Sequence, residues 1–456
     1  MRAASETGLI VRHAGTVLVG QVAVMAFGVT DTIVAGRYSQ DALAALSVGT
    51  AIYISVYVSL MGVLQALLPI WAELHGAGRG ADVGRSVRQS LYLCGGAIVL
   101  GMAVLSFPGP LMVWTDVPQA MRADVERYLL ILSVALPPSL LFRVFGTLNQ
   151  SLGKPKVVTL LQMFSLAIKV PLSVWFAFGG AGLPAMGLVG CGWATLVVNY
   201  TMLGCALWLL RTQPIYREAR IWQRMERPDW QQLAQFARLG VPGGLSVLVE
   251  ITSFTLMALF IARLGVVASA AHQIGANLAA LAYMMPMSIA IAGSARVSFW
   301  LGGGNTGAAR AACRRALLLT SGFALFYAAM LLLWRYRLPA VYTDDAAVVA
   351  VAAQLLAVIA LYHLADALQT VCVFILRCYR VTVLPLAIYC TLQWGVGLGG
   401  SVLLAYHGFG PWPAMQSPLA FWIMGGVALA ITAALFLVLL RRTVGGASRA
   451  GATLPA

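Results

Sequence analysis

The chain has 456 residues, of which 60% are hydrophobic and only 10% are charged. A water-soluble protein of this composition would lack polar residues to cover its surface, whereas a protein in lipid needs few of them over its lipid-facing band. The formal net charge of +15 would suggest a nucleic-acid partner, but most of the Lys and Arg residues fall in alternate polar connections. That is the pattern of cytoplasmic loops in membrane proteins. The composition therefore excludes an ordinary soluble protein and predicts no nucleic-acid partner.

Twelve apolar stretches follow one another along the chain, each near the length of about 20 residues that a helix needs to cross a bilayer. Backbone groups in lipid must be hydrogen-bonded internally, so helices are expected. The sequence predicts an all-α polytopic membrane protein with twelve transmembrane helices. The predicted spans are residues 14–36, 46–74, 89–113, 127–150, 157–178, 186–210, 239–263, 269–300, 314–334, 347–376, 381–406 and 418–440.

The basic connections lie on the same predicted side as both termini, which indicates that both termini are cytoplasmic. The first apolar stretch continues into an acid-containing segment without a clear cleavage site, so we interpret it as a span rather than a signal peptide. The seven Cys residues are scattered and form no CxxC pair, which disfavours a disulfide framework or a zinc site. The predicted location is a bacterial inner membrane.

The two halves of the chain repeat when the sequence is shifted by 226 residues without gaps. The matches with the most weight are glycines and arginines: Arg37 with Arg263, Gly76 with Gly302, Gly78 with Gly304, and Arg88 with Arg314. Six helices per repeat return the chain to the starting side, so two pseudo-symmetric six-helix bundles are expected about an axis along the membrane normal. Transporters built from two such bundles move substrate by rocking one bundle against the other. The predicted parts are an N-terminal lobe (1–210), a cytoplasmic linker (211–238), a C-terminal lobe (239–440) and a disordered tail (441–456).

Three acidic residues, Asp31, Glu250 and Asp366, lie inside apolar stretches. An acid at bilayer depth costs roughly 2.5–3.5 kcal/mol on insertion scales and is first interpreted as a group that handles ions or protons. Asp31 is either the partner of Lys169 in a salt bridge or a proton-titrated switch. Glu250 and Asp366 have no Lys or Arg nearby in the sequence, which favours a cation site or a shared proton over hydrogen bonds to neighbouring helices.

Five segments, in order along about residues 12–440, resemble motifs of the multidrug and toxic compound extrusion (MATE) family, NorM-like branch. They are Val29–Gly36, Gln65–Gly76, Gly182–Gly187, Ala271–Asn277 with Met285–Ser288, and Ala365–Gln369. The resemblance implies a twelve-helix exporter of cationic, often aromatic, drugs and toxic compounds, driven by inward Na⁺ or H⁺ through alternating access. It implies small-molecule substrates, a bilayer environment, a monomer, and no cofactor besides the coupling ion.

Carried over by position, the family's cation-coupling site falls on Glu250 and Asp366, with Tyr362 one turn before Asp366 on the same helix face. These two acids would hold Na⁺ if the protein is sodium-coupled. Asp31 matches the N-lobe acid, a proton-linked or substrate-linked site. Where NorM-like proteins often carry asparagines near that acid, this chain has Lys169 and Ser173.

Tyr283, Met287 and Gln273 are candidates for a substrate cavity, because aromatic and thioether side chains adapt to varied shapes. The alternative is that they only pack within the bundle. A lone His such as His272 is more often a structural hydrogen-bonding residue than a ligand.

The sequence also bears on three other classes of protein. An enzyme is disfavoured because the chain has no phosphate loop, HExxH motif or serine elbow. A flippase for lipid-linked precursors, from the same wider superfamily, is the alternative function. It would favour a basic cavity, whereas the only basic residues predicted inside helices are Arg143, Lys169 and Arg296. A channel is disfavoured by the lack of repeated filter-like loops.

Overall fold

The computed structural model describes residues 5–114, 118–180, 182–408, 410 and 413–449. Twelve helices in this part of the chain are long and apolar enough to cross a membrane, which confirms the predicted fold. They are α1 (Glu6–Tyr38), α2 (Gln40–Gly76), α3 (Gly80–Ser106), α4 (Gln119–Ser151), α5 (Pro155–Phe178), α6 (Leu188–Thr212), α7 (Trp230–Ala262), α8 (Val266–Gly302), α9 (Thr306–Leu333), α10 (Ala346–Cys378), α11 (Val383–His407) and α12 (Leu419–Arg449).

Two of these helices are irregular. Helix α2 consists of the segments Gln40–Gln65 and Leu68–Gly76, and Pro69 stands in the first turn of the second segment. Proline has no N–H to continue the hydrogen-bond ladder, which explains the interruption. Helix α11 contains two π-helical stretches, Thr391–Gly399 and Leu403–His407. Such stretches are rare and alter the direction in which side chains point.

The chain divides into two compact units. The N-terminal unit comprises Thr16–Gly244, and the C-terminal unit comprises residues up to Gly15 together with those from Leu245 onward. Helices α1 and α7, the first helices of the two repeats, are therefore each shared between the units. The polar linker predicted over 211–238 clusters with the N-terminal unit, whereas the first turns of α1 cluster with the C-terminal unit.

In the N-terminal unit, α4 packs against α2, α3 and α6. The first turns of α7 also approach α2 closely through Gly240 and Gly244. A Cβ added at Gly240 would lie 2.7 Å from the carbonyl oxygen of Val63, and one at Gly244 would lie 2.6 Å from that of Ser59. Only glycine allows backbones this close, as in small-residue motifs between membrane helices. This contact fixes the start of α7 on the N-terminal unit.

The linker lies directly on α3. Arg88 donates through Nε to Glu226 (3.0 Å), through Nη2 to the other carboxylate oxygen, and through Nη1 to the carbonyl of Arg220 (2.7 Å). Gln89 donates to the carbonyl of Arg227 (3.0 Å) and accepts from the backbone N–H of Asp229 (2.9 Å). We call these contacts the linker clamp, because they hold the polar connection against one helix.

Helix α7 begins at Trp230, inside the segment predicted as linker. The side chain of Asp229 accepts from the N–H of Gln232 at 3.2 Å, as a residue preceding a helix commonly does. Phe236 is buried, so an apolar side chain in a glutamine-rich stretch gives this part of α7 a packing face. At the other end of the chain, α12 continues to Arg449, through residues predicted as tail, and residues 450–456 lie outside the described part.

In the C-terminal unit, α10 packs against α8, α9 and α12. Alanine, serine and glycine fill much of the buried face of α8, from Ser288 to Ser298, and small residues let membrane helices approach closely. Arg296 on this face pairs with Glu6 at the start of α1. Arg296 also lies over the rings of Phe299 (4.8 Å) and Trp300 (5.4 Å). The first turn of α1 is thus held to this unit by a charged contact.

Candidate functional site

Asp31 and Lys169 form an ion pair within the N-terminal unit. Lys169 Nζ lies 2.8 Å from Asp31 Oδ1. The same ammonium donates to Thr195 Oγ1 at 2.6 Å and to the carbonyl oxygen of Cys191 at 3.1 Å. Helix α1 supplies the acid, α5 the amine and α6 the two neutral oxygens. The Lys169 side chain is fully buried, and that of Asp31 is 11% exposed.

Hydrogen bonds hold the carboxylate of this pair in place. Ser173, one turn beyond Lys169 on α5, donates to Asp31 Oδ1 at 3.2 Å. The side chain of Cys191 forms a further hydrogen bond with Asp31. Thr195 donates its own proton to the carbonyl of Cys191 at 3.0 Å, so its hydroxyl oxygen is left to accept from Lys169. The charges and donors of this site are therefore mutually satisfied.

Glu250 on α7 and Asp366 on α10 form the second acidic site, in the C-terminal unit. Their carboxylates interact electrostatically. Asp366 is buried, and its Oδ1 accepts from Gln369 Nε2 at 3.2 Å. Among the described residues, no Lys or Arg lies within salt-bridge distance of either acid. Two like charges thus share a membrane-embedded site without a basic partner.

Three tyrosines surround this acid pair. Tyr362 and Tyr283 each interact electrostatically with Glu250 and Asp366, as does Tyr389 on α11. Phenol hydroxyls both donate and accept hydrogen bonds, so they suit either protonated or ionised carboxyls. The structure therefore brings together the three residues expected at the cation site and adds two tyrosines to them.

A small, partly open pocket adjoins Tyr362 in the same unit. Its lining includes Ser253, one turn from Glu250, and Gln393 on α11. Both side chains are buried, and neither Ser253 Oγ nor Gln393 Oε1 has a hydrogen-bond partner within the described part of the chain. Unpaired buried oxygens need a water or an ion to replace lost hydrogen bonds.

A coupling ion at this site would need neutral ligands besides the two acids. The described residues contain no group of three or more His, Cys, Asp or Glu side chains that could hold a metal ion. Hard cations such as Na⁺ take hydroxyl, amide and carbonyl oxygens together with carboxylates. Ser253 and the tyrosine hydroxyls supply such oxygens beside the two acids, and Gln393 supplies another in the adjoining pocket, so the side chains present fit a small hard cation.

The candidate substrate residues separate into two groups. Tyr283 joins the acid site, and its hydroxyl is hydrogen-bonded to Thr370. Gln273 is exposed, and its Nε2 donates to Asn277 Oδ1 at 3.4 Å. Met287, on α8, is half-buried. His272 has a structural partner, because Trp422 Nε1 donates to its Nδ1 at 3.2 Å.

Several residues of these sites carry only weak signals in the sequence. Ser253 and Gln369 each stand three positions after an intramembrane acid, a spacing that places them on the same helix face. The helices that carry the other residues differ from those that carry the intramembrane acids: Thr195 lies on α6, and Tyr389 and Gln393 lie on α11. Their roles depend on packing between helices, which the spacing of residues along one helix does not reveal.

Comparison with known proteins gives two matches to one family model, described as MatE. The matches cover residues 17–175 and 242–401, one in each half of the chain. The starts and ends of the two matches are separated by nearly the same distance as the repeat found in the sequence. The family model thus describes each repeat separately.

Similar proteins cover nearly the whole chain. "Probable multidrug resistance protein NorM" of Aromatoleum aromaticum is 37% identical over 436 residues, covering 95% of this chain and 94% of that protein. "Multidrug resistance protein MdtK" of Yersinia pseudotuberculosis is 32% identical, covering 93% and 92%. The structure of the Vibrio cholerae MATE transporter VcmN in its bent form has a TM-score of 0.85 at 17% identity and covers 97% of this chain and 98% of that one. At that identity the last match shows the fold alone.

Proposed function

The chain belongs to the MatE family, and on that premise we propose that it exports cationic or amphipathic drugs and toxic compounds in exchange for inward-moving Na⁺ or H⁺. The predicted family is confirmed, and the chain is a multi-pass membrane transporter rather than an enzyme. The relatives named for multidrug resistance support drugs as substrates. Antiport by alternating access, the coupling ion and the substrate chemistry are parts of the proposal.

One observation carries the coupling mechanism: Glu250 and Asp366 interact without a basic partner within salt-bridge distance among the described residues. Like charges in a membrane-embedded site repel one another, and a bound Na⁺ or proton relieves that repulsion. A site of this kind responds to a cation gradient, because its occupied and empty states differ in charge. Tyr362 lies at the junction of the acids and the pocket, where it would orient the bound ion or proton.

The alternative function, flipping of a lipid-linked precursor, is less well supported. Its pyrophosphate would require basic side chains free to bind it. Two of the three intramembrane basic residues are already ion-paired, Lys169 with Asp31 and Arg296 with Glu6, whereas Arg143 donates to the neutral side chain of Gln65 and its Nε has no partner among the described residues. The acid pair also gives its site the charge that a cation prefers. We therefore retain export of cations as the proposed activity.

The test is efflux of a fluorescent cationic dye from vesicles under separately imposed Na⁺ and H⁺ gradients. Glu250→Gln and Asp366→Asn should each abolish gradient-driven efflux at matched expression, because an amide has no charge for the cation to balance. The control is Asp344→Asn, an acid-to-amide change at an exposed position of the same unit, which should leave efflux unchanged. Wild-type efflux and gradient dependence in both site variants would refute the coupling assignment.

The proposed orientation places both termini in the cytoplasm of a bacterial cell, on the basis of the positive-inside pattern. The seven described cysteines are free thiols, so a Cys-free background provides a clean test. Single cysteines placed beside Arg220 and Arg442 should react with a membrane-impermeant reagent only after the cytoplasmic side is opened. Labelling of both positions in intact cells would contradict this orientation.

A further inference from the structure

The ammonium of Lys169, on α5, sits in a cage of oxygens supplied by two other helices, α1 and α6. Its contacts are Asp31 Oδ1 at 2.8 Å, Thr195 Oγ1 at 2.6 Å and the Cys191 carbonyl at 3.1 Å. A lysine ammonium has three N–H donors, so these three acceptors use all of them. No donor is left to attract another partner.

These ligands are of the types that bind small cations. One carboxylate, one hydroxyl and one backbone carbonyl form the set that hard cations take in proteins. Lys169, Cys191 and Ser173 have no solvent exposure, and Asp31 is buried. The cage therefore combines a cation's ligands with a cation that belongs to the chain and cannot diffuse away.

The repeat makes this arrangement specific to one half. At the offset of 226 residues, Asp31 corresponds to Met257 and Lys169 corresponds to Gly395. The second half thus has neither the acid nor the amine of the cage. Met257 instead lines the pocket beside Tyr362.

We propose that the oxygen cage of the N-terminal unit is a cation-binding site whose permanent occupant is the Lys169 ammonium. The cage takes no Na⁺ while Lys169 is present. When the amine is removed it accepts a free cation in its place, either Na⁺ or a primary alkylammonium ion. Asp31 is then a fixed counter-charge rather than a coupling group. One consequence rests on the proposed function, namely that the coupling ion binds in the C-terminal unit and not in the N-terminal unit. The rest of the proposal does not depend on it.

Replacing the lost amine tests the proposal directly. Lys169→Ala removes three methylene groups and the ammonium, so n-propylammonium matches the missing fragment. Thermal unfolding of the purified full-length variant in detergent should shift upward saturably with n-propylammonium, because a ligand that binds only the folded state stabilises it. Na⁺ should produce a smaller saturable shift. Tetramethylammonium, which has no N–H donors, should produce none.

Two matched proteins serve as controls. The wild type and the Asp31→Asn/Lys169→Ala variant should show no saturable shift with n-propylammonium, because the first cage is filled and the second has lost its charge. A Lys169→Ala protein that folds but shows no saturable shift with n-propylammonium would overturn the proposal. So would an equal n-propylammonium shift in all three proteins.

A second measurement does not depend on the folding of Lys169→Ala. The Glu250→Gln/Asp366→Asn variant keeps Asp31 and Lys169, and radioactive Na⁺ binding to it measures what remains. The proposal predicts that adding Asp31→Asn does not reduce any Na⁺ binding that remains in this variant. Residual Na⁺ binding that Asp31→Asn abolishes would refute the proposal. Residual binding insensitive to Asp31→Asn would instead place the coupling ion away from Glu250 and Asp366. That result would contradict the proposed function and leave the occupied cage intact.

Discussion

The two membrane-embedded acidic sites differ in what balances their charge. In the N-terminal unit, Asp31 contacts Lys169 at 2.8 Å and accepts a second hydrogen bond from Ser173. In the C-terminal unit, Glu250 and Asp366 interact with one another and with tyrosines, and no basic side chain lies within salt-bridge distance among the described residues. One site contains its own cation, and the other has the charge to bind one from solution.

This difference shows how a repeated scaffold can divide two tasks. A paired buried charge holds helices in one arrangement, because removing either partner leaves an unbalanced ion. A pair of like charges favours whichever state supplies a cation, and it therefore links conformation to ion binding. The N-terminal site thus suits stability, whereas the C-terminal site suits coupling. If this division holds, substitutions in the N-terminal site should cost more stability than substitutions in the C-terminal site.

Lys169→Met should produce the largest loss of stability. The change keeps a long apolar side chain but leaves Asp31 charged and unpaired, which typically costs about 3–5 kcal/mol for a buried pair. Asp31→Asn in the same protein should restore most of the loss, because the unpaired charge is gone. Denaturation of the wild type, both single variants and the double variant measures the coupling energy. Additive losses would argue against a direct interaction.

Arg88→Met should have the next largest effect, because it removes the centre of the linker clamp. Arg88 is buried and makes charged hydrogen bonds to Glu226 and a further one to the Arg220 carbonyl, and a bond to a charged group contributes about 1.5–3 kcal/mol. Arg314 holds the equivalent position in the other repeat but is exposed. Arg314→Met should therefore change the free energy of unfolding by no more than about 0.5 kcal/mol. Equal losses of stability in Arg88→Met and Arg314→Met would contradict the assignment of the clamp to one repeat only.

The clamp should also weaken in acid. The hydrogen bonds from Arg88 lower the pKa of Glu226 below its ordinary value of 4.5. A carboxylate with a lowered pKa stabilises the folded state fully above that ordinary value, and the contribution is lost as pH falls through the lowered pKa. The stability difference between wild type and Glu226→Gln should therefore be constant near neutral pH and shrink below about pH 4.5. A difference that grows in acid would contradict the sign of this linkage.

The helices, the repeat and the three intramembrane acids could all be predicted from the sequence, because apolar length and buried charge are properties of single segments. Tyr362 followed from its helical spacing to Asp366. The cage ligand Thr195 could not be predicted, since it meets Lys169 only through the packing of α5 against α6. Gln393 also lies on a different helix from the acids, and it could not be predicted for a second reason. It lies in a π-helical stretch, where ordinary helical spacing does not predict which side chains share a face.

The start of α7 likewise could not be predicted from average hydropathy. The charged residues before position 230 and the glutamines after it resemble a loop in composition, yet Asp229 caps a helix there and Phe236 is buried. Hydropathy averages over the whole turn, whereas folding depends on the one face that packs. The close contacts of Gly240 and Gly244 with α2 likewise leave no trace in average hydropathy. These details decide to which unit a helix end belongs.

Glu250→Gln and Asp366→Asn should have the smallest effect on stability, although we expect both to abolish coupling. Each change removes one of two like charges and keeps the size of the side chain, and the amide oxygen at position 366 can still accept from Gln369. Losing repulsion offsets any hydrogen bond that the amide makes less well, so the free energy of unfolding should change by less than about 1 kcal/mol. Lys169→Met provides the contrast, since there a neutral side chain leaves a charge unpaired. Thermal unfolding of the three variants, measured beside gradient-driven dye efflux, separates stability from coupling. A loss of stability on Asp366→Asn as large as that on Lys169→Met would mean that the acids of both units are structural, and the division of tasks between the two sites would fail.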